Sequence, residues 1–498
     1  MKNCDRRTFL WNSAKGLCLA ALAHPSAGLW QTVPATHASD VFPADFYWGA
    51  ATSAMQVEGS PYADGGGKSV WSSFQLQPGV IKDGSTNLVA DDECHHYPED
   101  VATMRQMGLN AYRFSIAWPR VLPGGRGRAN EKGLAYYDRL IDALLEAQIT
   151  PFATLFHFDY PQPLQQRGGW LDPDSPQWVA EYAHLVASRY SDRVTHWLTI
   201  NEPNILWGLG AEIGLMPPNL KLPEEDLVRG AHNLLLGHGR SVQAIRAAAK
   251  QPSKIGLPFA GQIALPASEK SEDVTAARSV SFSVQRRPII PGLSPMAMLN
   301  TAWWLDPVFL GEYPEDGLKL FPSAAKRIKA QDMQIIRQPL DYCAVNLYFA
   351  PTVKAGPGGW PELVPDPPST PRTHYGWPLT PELLYWGPKF LAERYGKPVL
   401  ITENGMSRAD EPSPDGKVHD PERTQFLDSY LGAFKRACRE GVPLAGYFHW
   451  SLLDNWEFSE GFGQRFGLVY VDLKTQKRIV KDSAGRYREI IQSHGRIL

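Results

Sequence analysis

Val399-Leu400-Ile401-Thr402-Glu403-Asn404-Gly405 is an apolar, β-branched run that ends in a carboxylate and then in a backbone breaker. Its composition is that of a strand buried on both faces, and the Asn-Gly pair marks where the chain turns out of the sheet. Trp197-Leu198-Thr199-Ile200-Asn201-Glu202-Pro203 repeats the pattern in the first half of the chain, with proline as the breaker. Each run delivers a glutamate at its C-terminal end. The fold question is therefore what kind of sheet carries both.

Working outward, eight such apolar runs can be counted: 46–54, 109–116, 149–156, 195–201, 254–260, 340–348, 398–404 and 444–452. Amphipathic stretches at 136–148, 177–190, 227–249, 381–395 and 422–440 separate most of them. Continuous apolar strands alternating with helices predict an α/β fold, a (β/α)8 TIM barrel whose strands are parallel and covered on both faces. The active site of that architecture lies at the C-terminal strand ends. Runs four and seven place Glu202 and Glu403 there, on one rim.

A barrel of this type needs about 250 residues. The chain has 498, so the surplus is expected in long catalytic-face loops. The best candidate is 356–381, where eight prolines argue against regular structure and Trp360, Tyr375 and Trp377 supply flat apolar surface. It is expected to form a wall of the cleft. No fixed-period repeat occurs, and residues 40–498 read as a single (β/α)8 domain.

Residues 1–38 read differently. Arg6-Arg7-Thr8-Phe9-Leu10 precedes a short apolar stretch from Gly16 to Ala23 and resembles a bacterial twin-arginine export signal. This predicts export of the folded chain to the periplasm, with no membrane span elsewhere. Fifty basic against 52 acidic residues give a net charge of −2; residues 1–38 carry a net +3, leaving −5 for the rest. That balance gives no support to nucleic-acid binding. Of five cysteines, Cys94, Cys343 and Cys438 lie beyond the leader, too few for a disulfide framework and without metal-like spacing. Asp91-Asp92-Glu93-Cys94-His95-His96 lacks the i, i+4 histidine geometry of a zinc helix and is expected to be the solvent face and start of the first helix. No metal and no cofactor are expected.

Paired carboxylates at strand ends suit cleavage of a glycosidic bond: one protonates the leaving oxygen while the other stabilises positive charge from the opposite face of the sugar. Hydrogen-bond donors and a cation favour an ionised carboxyl; apolar surroundings and a nearby negative charge keep one protonated. Arg113 at the end of the second run and Tyr348 at the end of the sixth are expected beside Glu403. Glu403 is therefore assigned as nucleophile and Glu202 as acid/base.

At this point the residues resemble a family. Thr199-Ile200-Asn201-Glu202-Pro203 and Ile401-Thr402-Glu403-Asn404-Gly405 are similar to the acid/base and nucleophile signatures of glycoside hydrolase family 1, the β-glucosidase family. In family order come also Gln56-Val57-Glu58-Gly59, Tyr112-Arg113-Phe114-Ser115, His157 with Asp159, Asn346 with Tyr348, His449-Trp450-Ser451 and Asp454-Asn455-Trp456-Glu457, from about Phe42 to about Ile490. The resemblance implies a retaining, exo-acting β-glycosidase working through a covalent glycosyl-enzyme, with a small-molecule β-glycoside or oligosaccharide as its partner.

It also implies a sugar pocket. Gln56 and Glu457 would fork onto outer hydroxyls, His157 onto the 3-hydroxyl and Asn201 onto the 2-hydroxyl, with Asn346 nearby and Trp450 as the platform beneath the ring. Phe158 and Phe458 stand where tryptophan is common in the family, so an indole N–H is missing and the preference among glucose, galactose and fucose stays open. A 6-phosphosugar is disfavoured, because Glu457 would repel the phosphate. Two alternatives share the scaffold: a sugar-binding protein that has lost turnover, and a transglycosylase. Oligomeric state and the natural aglycone are left open by the sequence.

Overall fold

The structure, a computed structural model, describes residues 40–286 and 296–498. The twin-arginine segment lies outside the described residues.

The first four apolar runs form parallel strands β1 (Tyr47–Ala51), β2 (Ala111–Ser115), β3 (Thr150–Phe156) and β4 (His196–Ile200). They are followed by β5 in two pieces (Lys254–Gly256 and Phe259–Ala260), β6 (Cys343–Asn346), β7 (Val399–Asn404) and β8 (Leu444–Trp450). β1 pairs with both β2 and β8. The first piece of β5 pairs with β4 and the second with β6, so the eight strands close into a barrel. The fifth run was expected to be continuous; Leu257-Pro258 interrupts it because proline has no N–H for the ladder.

Helices follow the strands: α1 (Glu93–Gln106), α2 (Glu131–Glu146), α3 (Ser175–Tyr190), α4 (Glu224–Ala248), α5 (Ala330–Ile336), α6 (Leu383–Tyr395), α7 (Pro421–Arg439) and α8 (Asp482–Gln492). In α2, Leu134, Tyr137, Leu140, Ile141 and Leu144 are buried at three- and four-residue spacing, one stripe turned to the sheet. A smaller cluster of Ala51, Ala111, Phe152, Leu400, Phe448 and Trp450 comes from alternate strand positions and fills the barrel interior.

Two expectations need correction. The proline-rich stretch is not devoid of regular structure: Pro361–Val364 pairs antiparallel with Thr352–Ala355, which also pairs with Leu265–Pro266 to make a small rim sheet. Pro361 opens its strand, where the missing donor costs nothing, and most of the other prolines lie in turns and loops around the pair. The start of α1 is also not simply a solvent face. His95 is exposed, but Asp91 and Glu93 are buried, and Glu93 accepts from the hydroxyls of Tyr112 (2.7 Å) and Tyr136 (3.2 Å). Burial raises the Glu93 carboxyl to about 8. Acidic residues next to histidines read as surface, and only the aromatic hydroxyls across the helix, invisible locally, reverse that.

Candidate active site

Local backbone geometry aims both glutamates. After β4 the chain passes through Asn201 and enters the left-handed region at Glu202 (φ 44°), which begins the short helix Pro203–Trp207; its N–H donates to the carbonyl of Pro258 (2.8 Å). A left-handed non-glycine residue costs energy and is common where a side chain must be held at an unusual angle. On β7 the pairing slips between Ile401 and Glu403 toward β6 and between Ile401 and Asn404 toward β8. This irregularity re-aims Glu403 at the strand end. Gly405 follows because a Cβ there would lie 1.8 Å from the carbonyl oxygen of Trp450.

Glu403 is gripped from two sides. Arg113 on β2, fully buried, donates Nη1 to Oε1 at 2.5 Å, and the Tyr348 hydroxyl donates to Oε2 at 2.7 Å. The guanidinium is itself fixed: Nη2 donates to Asn201 Oδ1 (2.6 Å), Nε to Thr154 Oγ1 (3.1 Å), and Nη1 also reaches the carbonyl of Thr402 (3.0 Å). Charge-assisted bonds of this kind are the strong ones.

Among the described residues, no cation forms an ion pair with Glu202. Asn346 donates Nδ2 to its Oε1 (2.8 Å) and more weakly to Asn201 Oδ1 (3.3 Å), while Thr402 Oγ1 donates to Asn346 Oδ1 (2.6 Å) and fixes the amide orientation. Burial, and next the negative charge of Glu403, push the Glu202 carboxyl up to about 8. These surroundings favour its protonated form. The two carboxyls thus differ by surroundings alone.

With its Oδ1 taken by donors, Asn201 turns its NH2 to Nε2 of His157 (3.0 Å). Burial, with a contribution from Arg113, holds His157 well below the usual imidazole range, so the ring is neutral. Gln56 donates Nε2 to Glu457 (3.0 Å) and to Asn455 Oδ1 (3.0 Å). Glu457 is also raised to about 8, by burial first and then by Glu403. Trp450 lies 5.9 Å from the His157 ring, nearly parallel to it.

One cavity of about 520 Å³ collects Gln56, His157, Glu202, Asn346, Tyr348, Glu403, Trp450, Glu457 and Phe458. Arg113 and Asn201 adjoin it, Arg113 bonded to Glu403 and Asn201 to Asn346 and His157. Phe158 and Phe458 both have positive φ, pack 5.5 Å apart and close one side. Tyr375 and Trp377 of the proline-rich stretch are stacked at 4.5 Å and line the outer part, as expected of a cleft wall; Trp360 does not reach it. Sequence reasoning missed Trp71, which lines the cavity and packs 5.1 Å from Phe458, and the supporting hydroxyls of Thr154 and Thr402. Trp71 had no local signal; the threonines were visible only as strand residues.

Residues 38–496 match the family described as Glycosyl hydrolase family 1. The chain belongs to glycosyl hydrolase family 1. Beta-glucosidase A of Thermotoga maritima is 42% identical over 91% of this chain and 98% of its own length. A 1,4-beta-D-glucan glucohydrolase of Thermotoga neapolitana is likewise 42% identical, over 91% and 99%. A structure of the Thermotoga maritima beta-glucosidase in complex with glucoimidazole superposes with a TM-score of 0.81 at 41% identity, covering 92% of this chain and all of that one. The family member is a glycoside hydrolase on a TIM barrel. No described helix is long and apolar enough to cross a membrane.

Proposed function

We propose that Glu403 is the nucleophile and Glu202 the acid/base of a retaining, exo-acting β-glycosidase. Glu403 attacks the anomeric carbon as Glu202 protonates the departing oxygen, leaving an ester between Glu403 and the sugar. Glu202, now a carboxylate, takes a proton from water, which opens the ester and restores the β configuration. The observation that carries this reading is the opposed environment of the pair: Glu403 faces two donors, one cationic, whereas Glu202 meets a neutral amide and keeps its proton to about 8.

Gln56, Glu457, His157, Asn201, Asn346 and Trp450 hold the terminal sugar. Gln56 and Glu457 are tied together at the inner end, which supports an exo-acting site that takes a chain from its non-reducing terminus. The 2-hydroxyl falls to Asn201, whose amide Arg113 pre-sets. Residues 1–38 act as a twin-arginine leader, and the enzyme works in the periplasm.

A 2-deoxy-2-fluoro β-glucoside with a good leaving group tests the assignment, because the fluorine slows opening of the ester more than its formation. The expected result is one equivalent of released phenol and a sugar mass on the peptide bearing Glu403. Label on another residue, or none with phenol still turned over, overturns it. Replacing Arg6 and Arg7 by lysine should hold the protein in the cytoplasmic fraction.

A further inference from the structure

The inner end of the cavity is lined by polar groups in fixed hydrogen bonds, but its outer part is not. Leu209, Leu215, Met216, Ile263, Leu299 and Leu363 form an aliphatic wall there, drawn from the segment after β4, the segment after β5 and the rim sheet. The charged groups of this part are already engaged. Arg372 donates to Asp366 (2.8 Å) and to the carbonyl of Gly376 (3.0 Å), and Glu460 accepts from Lys82 (2.8 Å). Among the described residues, Gln262, Gln285 and Ser459, with the Tyr375 hydroxyl and the Trp377 indole N–H, are the polar side-chain groups of the outer chamber outside those ion pairs, fewer than the edge of a second sugar would call for.

A second sugar would bring hydroxyls around its whole edge into this space, and each hydroxyl stripped of water without a partner carries a desolvation cost. The stacked Tyr375 and Trp377 would suit the face of a sugar or of an aryl group equally. The aliphatic wall decides between them. We infer that the outer chamber takes an apolar aglycone, an alkyl, terpenoid or aryl group, in preference to a further glucosyl unit. This rests on the glycosidase reading above, and it differs from what the name of the Thermotoga neapolitana glucohydrolase says of that relative. Continuity of the chamber with Glu202 and Glu403 in one cavity places the aglycone on the leaving-group side.

The n-alkyl β-glucosides from ethyl to octyl test this, since their leaving alcohols are alike in acidity and only apolar length changes. Their 1-thio analogues, which resist hydrolysis, give affinities by calorimetry. Affinity should rise about threefold per methylene, roughly three orders of magnitude across the series, and octyl β-glucoside should exceed cellobiose and cellotriose in kcat/KM. Leu215→Asn and Leu363→Asn should each cut the octyl-to-ethyl affinity ratio by about tenfold. A flat thioglucoside series, or cello-oligosaccharides outperforming the octyl glucoside, overturns the inference and points to a sugar or a segment of the chain itself in that space. A rising series with no glucoside cleaved upholds the chamber and sinks the catalytic reading instead.

Discussion

At the inner end of the cavity, Arg113, Asn346 and Glu403 stand on barrel strands, and each is held by at least two partners; at the outer end, Leu215, Met216 and Leu363 stand on rim segments and offer only shape. The inner groups must meet a transition state whose charge appears at fixed points, so they are preorganised by a closed network of bonds. The outer residues need only exclude water from whatever is leaving. The difference teaches where substitutions should be tolerated: steeply penalised around Glu403, graded along the wall.

The largest break in that comparison comes from Glu403→Gly, which should lower kcat by about five orders of magnitude and regain turnover in azide, yielding the α-glycosyl azide. Arg113→Met should follow with a loss of about a thousandfold, since it removes a charged donor from Glu403 and the anchor of Asn201 together. It should also lower stability, because a buried carboxylate loses its partner; kcat on an activated aryl glucoside alongside thermal unfolding separates the two effects. Glu202→Ala should cost about a thousandfold in kcat/KM on an alkyl glucoside and under tenfold in kcat/KM on an aryl glucoside with an acidic phenol, because only the first needs its leaving oxygen protonated, while kcat on the aryl glucoside falls because the ester has lost its base. Equal losses on both would remove the acid role.

A smaller effect sharpens the contrast between the two carboxyls. Glu202 is raised to about 8 by burial and by the Glu403 charge, so kcat/KM should fall as pH rises through that value. The same shift bears on folding: a carboxyl raised in the folded state favours that state below the ordinary carboxyl range and progressively less as pH climbs toward 8. Glu202→Gln should therefore raise the unfolding temperature at pH 8 and leave it nearly unchanged at pH 4. In Glu403→Gln the Glu202 carboxyl should titrate lower, as seen by carbon-detected NMR, once the neighbouring charge is gone. The smallest effect belongs to Phe458→Trp, which should alter the preference between aryl β-glucoside and β-galactoside by less than about fivefold.

Much of the inner end was legible in the sequence because barrel strands announce themselves. Continuous apolar runs ending in Glu202-Pro203 and Glu403-Asn404-Gly405 carry their structural role and their chemistry in the same few residues. The break in β5 was missed although Pro258 was in plain view, since a run of apolar residues hides which N–H groups the ladder needs. The strands of the rim sheet were missed because proline density masks edge pairing. Trp71 and the aliphatic wall come from segments far apart in the chain, and nothing local marks Leu215 or Leu363 as neighbours of one cavity. The buried Glu93 shows the same limit in reverse: an acidic stretch looks solvated until Tyr112 and Tyr136 are folded against it.

The central claim is a double displacement between Glu403 and Glu202, and its stereochemistry is directly observable. Proton NMR of the first turnovers of an aryl β-glucoside should show the β-anomer of the free sugar before mutarotation brings in the α-anomer. Initial appearance of the α-anomer would mean a single displacement by water and would contradict the account.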